Sequence, residues 1–309
     1  MSIAYLFPGQ GAQHVGMGHD LYAHEPAARA VFDQADALLG FPLSQLCFHG
    51  PEADLTDTFN QQPALLVTSL AMLAALRAHE YEQPRFMAGH SLGEFSALTA
   101  AGSLTFADGL ALVRRRGALM KQAGAQNPGA MAALLALNIP QVEILCAQAS
   151  DETGRPVQVA NDNCPGQVVI SGDESALDRA MELAQTAGAR KVVKLPITIA
   201  AHSPLMRTAA AEFAAVVADT PIAPPQVPVI GNVSARPLTS AAEIRAELEA
   251  QLTGSVRWTE SVGFLVNAGV DTFVEVGPGD VLLSLVKRIH RQSNRVKFET
   301  AAASPATEE

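Results

Sequence analysis

Gly89-His90-Ser91-Leu92-Gly93 sets one hydroxyl between two glycines, the G-x-S-x-G spacing of a nucleophile elbow. Arg85–Ala88 before it reads as a short buried strand, and the residues after it as the start of a helix. In such a turn the serine sits in strained backbone at the tip of a sheet, and glycine leaves the space and the dihedral freedom the bend requires. The helix that follows aims its unpaired N–H groups at the charge that develops during acyl transfer. The indicated chemistry is attack by Ser91 on an acyl carbonyl. For these five residues taken alone, a chance glycine-serine turn is the alternative.

A serine hydroxyl is a weak nucleophile until a base takes its proton, and histidine is the usual base near neutral pH. The chain has eight histidines, and position alone does not choose among them. His90 adjoins the serine on the elbow, where its side chain should point away from the hydroxyl. His202 follows the apolar run Val192–Ile199 and precedes Pro204, which places it in a strand-to-helix loop. No carboxylate stands out as the third member of a triad. Arg114, Arg115 and Arg116 fall in one turn of a helix expected over Phe106–Ala123. Solvated charges on a helix face and a grip for an acidic group both fit them.

The elements that must position these residues alternate. Ile3–Phe7 reads as a buried strand running into the Pro8-Gly9-Gln10-Gly11 loop, followed by a helix at about Ala27–Leu39. Pro63 marks the first turn of a long helix reaching about Ala78. From about Gln126 to Ile197 the order is strand Ala130–Leu137, helix Pro140–Ala149, strands Pro156–Ala160 and Gln167–Ser171, helix Glu174–Ala187 and strand Lys191–Leu195. That β-α-β-β-α-β order is the ferredoxin-like unit, here an insert at 126–197. The chain returns with helix Pro204–Ala218, strand Val229–Asn232, helices Ala241–Leu252 and Thr259–Ala268, strand Thr272–Val276 and helix Val281–His290. The outer segments, 1–125 and 198–300, predict a mostly parallel sheet covered on both faces. Residues 301–309 read as a polar, frayed tail.

Composition narrows the function classes. A hydrophobic fraction of 48% with few aromatics suits a buried α/β core. A net charge of −10 argues against nucleic acid as the main partner. The longest apolar stretch, Pro63–Leu76, is too short to span a bilayer, and no cationic start with an apolar h-region marks a secretory signal. Cys47, Cys146 and Cys164 are odd in number and lack metal-like spacing, so reduced structural thiols, a cytoplasmic location and no metal site are expected.

The motifs FPGQGAQ (Phe7–Gln13), QPAL (Gln62–Leu65), GHSLGE (Gly89–Glu94), RRG (Arg115–Gly117), QVVISG (Gln167–Gly172), AHS (Ala201–Ser203) and EVGPG (Glu275–Gly279) occur in this order across nearly the whole chain. On them the sequence resembles the malonyl-CoA:acyl-carrier-protein transacylases and the acyltransferase domains of fatty-acid and polyketide synthases. The resemblance implies an α/β-hydrolase-like large domain with an inserted ferredoxin-like small domain. It implies transfer of malonyl from malonyl-CoA to the phosphopantetheine thiol of an acyl carrier protein, with no bound cofactor; the sequence itself does not show the oligomeric state, for which a monomer is the default expectation. It assigns Ser91 and His202 to catalysis and the backbone N–H groups of Gln10 and Leu92 to the oxyanion hole. Arg116, immediately before Gly117, becomes the residue that holds the malonyl carboxylate. Gln62, His90, Asn161, Asn163 and Arg257 are expected to contact substrate, although turn-forming roles fit the two asparagines as well. The family's imidazole-orienting carbonyl maps onto Arg257, before Trp258, where bacterial fatty-acid enzymes commonly carry glutamine. The strip Ile199-Ala200-Ala201-His202 matches neither the malonyl-linked HAFH nor the methylmalonyl-linked YASH pattern, which leaves a different extender unit open. Both a fatty-acid enzyme and a free-standing polyketide acyltransferase fit. Lys121 with Lys287, Arg288, Arg291, Arg295 and Lys297 offers a carrier-docking surface, and a solvated helix flank fits equally.

Two rivals share part of the pattern. A hydrolase that strips acyl groups uses the elbow and histidine but has no need of an arginine clamp. A non-enzymatic scaffold needs none of Ser91, His202 and Arg116.

Overall fold

The computed structural model describes residues 2–298, so the expected tail at 301–309 lies outside the described residues. Eleven strands occur among these residues: β1 (Ile3–Phe7), β2 (Phe86–Gly89), β3 (Ala130–Leu135), β4 (Val157–Cys164), β5 (Gln167–Gly172), β6 (Lys191–Lys194), β7 (Val229–Ile230), β8 (Pro237–Leu238), β9 (Val256–Arg257), β10 (Thr272–Glu275) and β11 (Asn294–Lys297). The helices are α1 (His19–His24), α2 (Pro26–Leu39), α3 (Leu43–His49), α4 (Glu52–Thr56), α5 (Thr58–Ala78), α6 (Gly93–Ala100), α7 (Phe106–Gln126), α8 (Ile139–Thr153), α9 (Glu174–Thr186), α10 (Arg207–Asp219), α11 (Ala241–Gln251), α12 (Trp258–Asn267) and α13 (Val281–Ile289).

Two sheets organise them. The first has the order β11-β10-β1-β2-β7-β8. Its pairings are parallel from β11 through β7, and only β8 runs antiparallel. Strands β1, β2 and β10 are buried at every position, as expected for a parallel sheet covered on both faces. The second sheet has the order β6-β3-β5-β4-β9, with antiparallel pairing among β3, β4, β5 and β6. Its fifth strand, β9, comes from the returning chain and pairs in parallel with β4. β9 thus closes the β4 edge of this sheet, and from it the Arg257 N–H donates to Asn232 O, just past β7 of the first sheet, at 2.8 Å. No helix of the described residues is long and apolar enough to cross a membrane.

Several expected boundaries shift for identifiable reasons. Pro63 is not in the first turn of α5 but five residues inside it, because Asp57 caps the helix by accepting the Phe59 N–H. Proline cannot donate to the carbonyl four residues back, and Arg114 fills that gap with a hydrogen bond from Nη1 to Phe59 O at 3.3 Å. Arg114 also stacks over the Phe59 and Phe41 rings, so it is not a merely solvated charge. The strand expected over Lys191–Leu195 is found at Lys191–Lys194, and the apolar run on to Ile199 does not extend it past Pro196. β4 continues past Ala160 through Asn161 and Asn163 with two register shifts, so these asparagines lie on a bulged strand and not in a turn. β11 carries Arg295 and Lys297, so of the two readings of the basic stretch the helix flank does not apply to these residues.

The first sheet puts its loops where the chemistry must be. β1, β2, β7 and β10 all end at the same edge, where open parallel sheets form their clefts. Close backbone approach holds the elbow there. A Cβ on Gly93 would overlap the Phe7 carbonyl oxygen and crowd Pro8 O at 2.9 Å, and one on Gly89 would overlap the backbone of Gly93. Gly93→Ala is therefore expected to lose about 1–3 kcal/mol of stability and to slow acylation of Ser91. Unchanged thermal midpoint and acylation rate in that variant would contradict the packing described.

Candidate active site

Ser91 follows β2 with φ +51°, in the left-handed region that side chains rarely adopt. Two bonds from Asn232, which follows β7, hold it there. The Ser91 N–H donates to Asn232 Oδ1 at 2.6 Å, and Asn232 Nδ2 donates to Gly89 O at 2.7 Å. Ser91 is 8% exposed, so its hydroxyl faces a nearly closed site.

His202 arrives from the loop after β6, also at positive φ (+57°). Its Nε2 lies 2.8 Å from Ser91 Oγ. Nδ1 lies 2.9 Å from Gln251 O and 3.0 Å from Gly254 O. Carbonyls only accept, so Nδ1 carries the proton and Nε2 presents its lone pair to the serine. Gln158 Nε2 steadies the loop by donating to His202 O and Thr253 O. Burial, reinforced by the Arg116 charge and His90, pushes the His202 pKa down to about 3. The ring is thus a free base at neutral pH. An NMR titration is expected to find it neutral down to about pH 5, because burial and a neighbouring cation both disfavour the imidazolium. A midpoint near the ordinary ~6.5 would contradict this environment.

Arg116 is fully buried on α7. Its Nε donates to Gln251 Oε1, Nη1 to Gln62 Oε1 and Nη2 to Ser91 Oγ, each at 3.1 Å. Burial lowers its pKa to about 10, against the opposing pull of Glu94, so it stays cationic at neutral pH. Arg115, by contrast, is exposed and pairs with Glu212. One guanidinium of the three thus meets the serine, and it is the one before Gly117.

The remaining sequence candidates divide. Gln62 is fully buried and holds Arg116. His90 turns away from the serine, as expected, with Nε2 at 2.8 Å from Asn163 Oδ1 and its ring against Trp258. Asn161 and Asn163 are both buried on β4. Leu92 is buried at the entry to α6. Gln10 is exposed, its side chain bonded to Gln61, while Gly9 beside it packs against the His90 carbonyl.

Arg257 does not supply the carbonyl that orients His202. Its guanidinium pairs with Glu260 and donates to Val233 O, and its carbonyl accepts from Ser261 Oγ, not from His202. The carbonyls that orient the imidazole belong to Gln251 and Gly254, because the chain leaving α11 is what passes beneath His202. Of the basic stretch, Arg288 donates to Pro165 O and Lys121 pairs with Asp57, so both are engaged within the protein. The strip before His202 is buried at Ala200 and Ala201, and Ile199 lies against Gly124 of α7.

Sequence reasoning missed Asn232, Glu94 and Gln251 as parts of the site. Glu94 is fully buried, accepting the Asn232 N–H at 2.9 Å and a hydrogen bond from Gln251 Nε2. Burial and nearby Glu247 push its pKa well up, opposed by those two donors and by Arg116. Gln251 is a buried polar residue at the end of an amphipathic helix, and nothing in the local pattern marks it. Glu94 alone carried a signal: it sits inside the GHSLGE motif.

The arrangement can polarise a carbonyl, take its acyl group onto Ser91 Oγ and release it again, while holding an anion beside it. Among the described residues no group of three or more His, Cys, Asp and Glu is arranged to hold a metal ion.

Comparison with known proteins points the same way. The acyl transferase domain family matches residues 4–306. The malonyl CoA-acyl carrier protein transacylase of Bacillus subtilis (strain 168) is 45% identical over 99% of this chain and 94% of its own length. The enzyme of that name from Escherichia coli O157:H7 is 42% identical over 93% of this chain and 92% of its own. Among solved structures, the transacylase of Coxiella burnetii superposes with TM-score 0.94 at 40% identity, covering 97% of this chain and 95% of that one. A malonyl-transacylase in complex with its type II PKS acyl-carrier protein gives TM-score 0.94 at 38% identity, covering 98% and 99%. The chain belongs to the acyl transferase family represented by the malonyl CoA-acyl carrier protein transacylases.

Proposed function

We propose that this protein transfers a malonyl group from malonyl-CoA to the phosphopantetheine thiol of an acyl carrier protein, through an acyl-enzyme on Ser91. The observation that carries this reading is the meeting of His202 Nε2 and Arg116 Nη2 on one oxygen, Ser91 Oγ, at 2.8 and 3.1 Å. A base on the nucleophile makes it an acyl transferase or a hydrolase. A buried guanidinium on the same atom adds a requirement for an anionic acyl group.

In the cycle, His202 takes the serine proton as Oγ attacks the thioester carbonyl. The resulting imidazolium is supported by two neutral carbonyls, so no carboxylate is needed to orient the ring. The oxyanion forms over the first turn of α6. The Leu92 N–H is its donor from the elbow, since the Ser91 N–H is taken by Asn232 and the Gly93 N–H by His90 O. The Gln10 N–H supplies the second donor from the loop after β1, which Gly9 and Gly93 hold against the elbow. The tetrahedral species collapses, and the proton on His202 passes to the departing CoA sulfur. The carrier thiol then enters, gives its proton to His202 and takes the malonyl group by the reverse sequence. Arg116 holds the malonyl carboxylate throughout, with Gln62 and Gln251 fixing its plane. His90, Asn161 and Asn163 line the approach, while Gln62 acts from behind Arg116. The chemistry uses side chains and backbone alone and needs no metal or redox cofactor.

The division of labour follows the architecture. Residues 2–125 and 198–298 form an α/β-hydrolase-like unit that supplies nucleophile, base and clamp. Residues 126–197 form a ferredoxin-like unit, a reading supported by the antiparallel order β6-β3-β5-β4, and β4 covers the elbow. Three buried free thiols suit a reducing cytoplasm.

Incubation with labelled malonyl-CoA, followed by carrier protein or buffer alone, tests the assignment. A Ser91 adduct that is stable in buffer and passes to the carrier is expected. Prompt loss of the adduct to water would favour the hydrolase, and no adduct would overturn the reading.

A further inference from the structure

We propose that Glu94 is a positioning residue for acid selection: its carboxylate, acting through the side-chain amide of Gln251, fixes the direction in which the Arg116 guanidinium faces. This rests on Arg116 holding the malonyl carboxylate as described above.

The argument is one of donors and acceptors. Glu94 is fully buried in the first turn of α6. One of its oxygens accepts the Asn232 N–H and the other accepts from Gln251 Nε2. Gln251 Nε2 also donates to Ser91 O at 3.0 Å. The Ser91 carbonyl can only accept, so the amide nitrogen of Gln251 must face it, which sets that N–H against the Glu94 oxygen beside it. Its oxygen is thereby turned to Arg116, where it takes the Nε–H at 3.1 Å. Gln62 Oε1 takes Nη1, and the one direction left for Nη2 is toward Ser91 Oγ. Glu94 also supplies the negative field that opposes desolvation of the Arg116 cation.

The same carboxylate ties the opposite side of the elbow. Through the Asn232 backbone it sets the residue whose side chain holds Ser91 N–H and Gly89 O. Glu94 thus reaches the nucleophile from one oxygen and the clamp from the other. An acid at the N-terminus of a helix is also favourable by itself, so a purely structural role is the alternative that the experiment must separate.

Glutamine at 94 has one accepting oxygen where the carboxylate has two, so either Asn232 N–H or Gln251 Nε2 loses its partner. The test measures acylation of Ser91 by malonyl-CoA and by acetyl-CoA in wild type, Glu94→Gln, Gln251→Leu and the double variant, with the thermal midpoint of each. The malonyl-to-acetyl ratio is expected to fall about tenfold or more in Glu94→Gln. In the double variant it should be no lower than in Gln251→Leu, because the two act in series. Parallel loss with both substrates, tracking the thermal midpoint, would overturn the proposal, as would additive effects on the ratio. If Glu94→Gln fails to fold, Gln251→Leu carries the test: it keeps Glu94 and the backbone carbonyl under His202, and an unchanged ratio would overturn the link. Arg116→Ala serves as the control. A ratio that survives it would refute the clamp itself, a failure distinct from that of Glu94.

Discussion

Arg116→Ala is expected to lower malonyl acylation of Ser91 by roughly 10²–10⁴-fold, while acetyl acylation falls far less. The guanidinium can offer a carboxylate two charge-assisted hydrogen bonds, worth about 1.5–3 kcal/mol each. In wild type an acetyl group leaves that buried cation without an anion, which penalises the neutral substrate; alanine removes reward and penalty together. Arg116→Lys should fall between, since an ammonium cannot reach Gln62, Gln251 and Ser91 Oγ in one plane. The cation also holds the His202 pKa down, so the His202 midpoint should move upward in Arg116→Ala. Rates of CoA release with the two donors, and the ring titration, check both parts. An unchanged malonyl-to-acetyl ratio would remove Arg116 from the site.

The second large effect is expected from His202→Ala. Loss of a positioned general base typically costs about 10²–10⁴-fold, and here the base serves acylation and transfer alike. The burst of CoA release and the subsequent discharge to carrier should therefore slow together. Because the imidazole is held by the Gln251 and Gly254 carbonyls, no carboxylate is called on to orient the ring. A drop of less than about tenfold in both half-reactions would point to another base.

What was legible in the sequence follows how local each cause is. The elbow could be read because the steric demand of the bend falls on Gly89, Ser91 and Gly93 themselves. The order of strands and helices could be read because burial on both faces leaves continuous apolar runs, as in β1 and β2. Short elements such as α1, α3, α4 and β11 carry no such run, and their form depends on what they pack against.

The site shows the same division. Arg116 was separable from Arg114 and Arg115 only by its place before Gly117, through the family resemblance. His202 likewise depended on that resemblance, because its partner lies 111 positions away in the chain. The support for its ring was misassigned to Arg257. An orienting carbonyl has no side-chain signature, and the chain path from α11 to β9 decides which one lies beneath the imidazole. Gln251 and Asn232 do their work through contacts between distant segments, and their types alone say nothing of it.

The most direct measurement is a structure of the protein after brief exposure to malonyl-CoA. It should show malonyl esterified to Ser91 Oγ, its carboxylate on the guanidinium of Arg116 and its carbonyl oxygen facing the Leu92 and Gln10 amides. An unmodified Ser91, or an ester whose carboxylate lies away from Arg116, would contradict the mechanism.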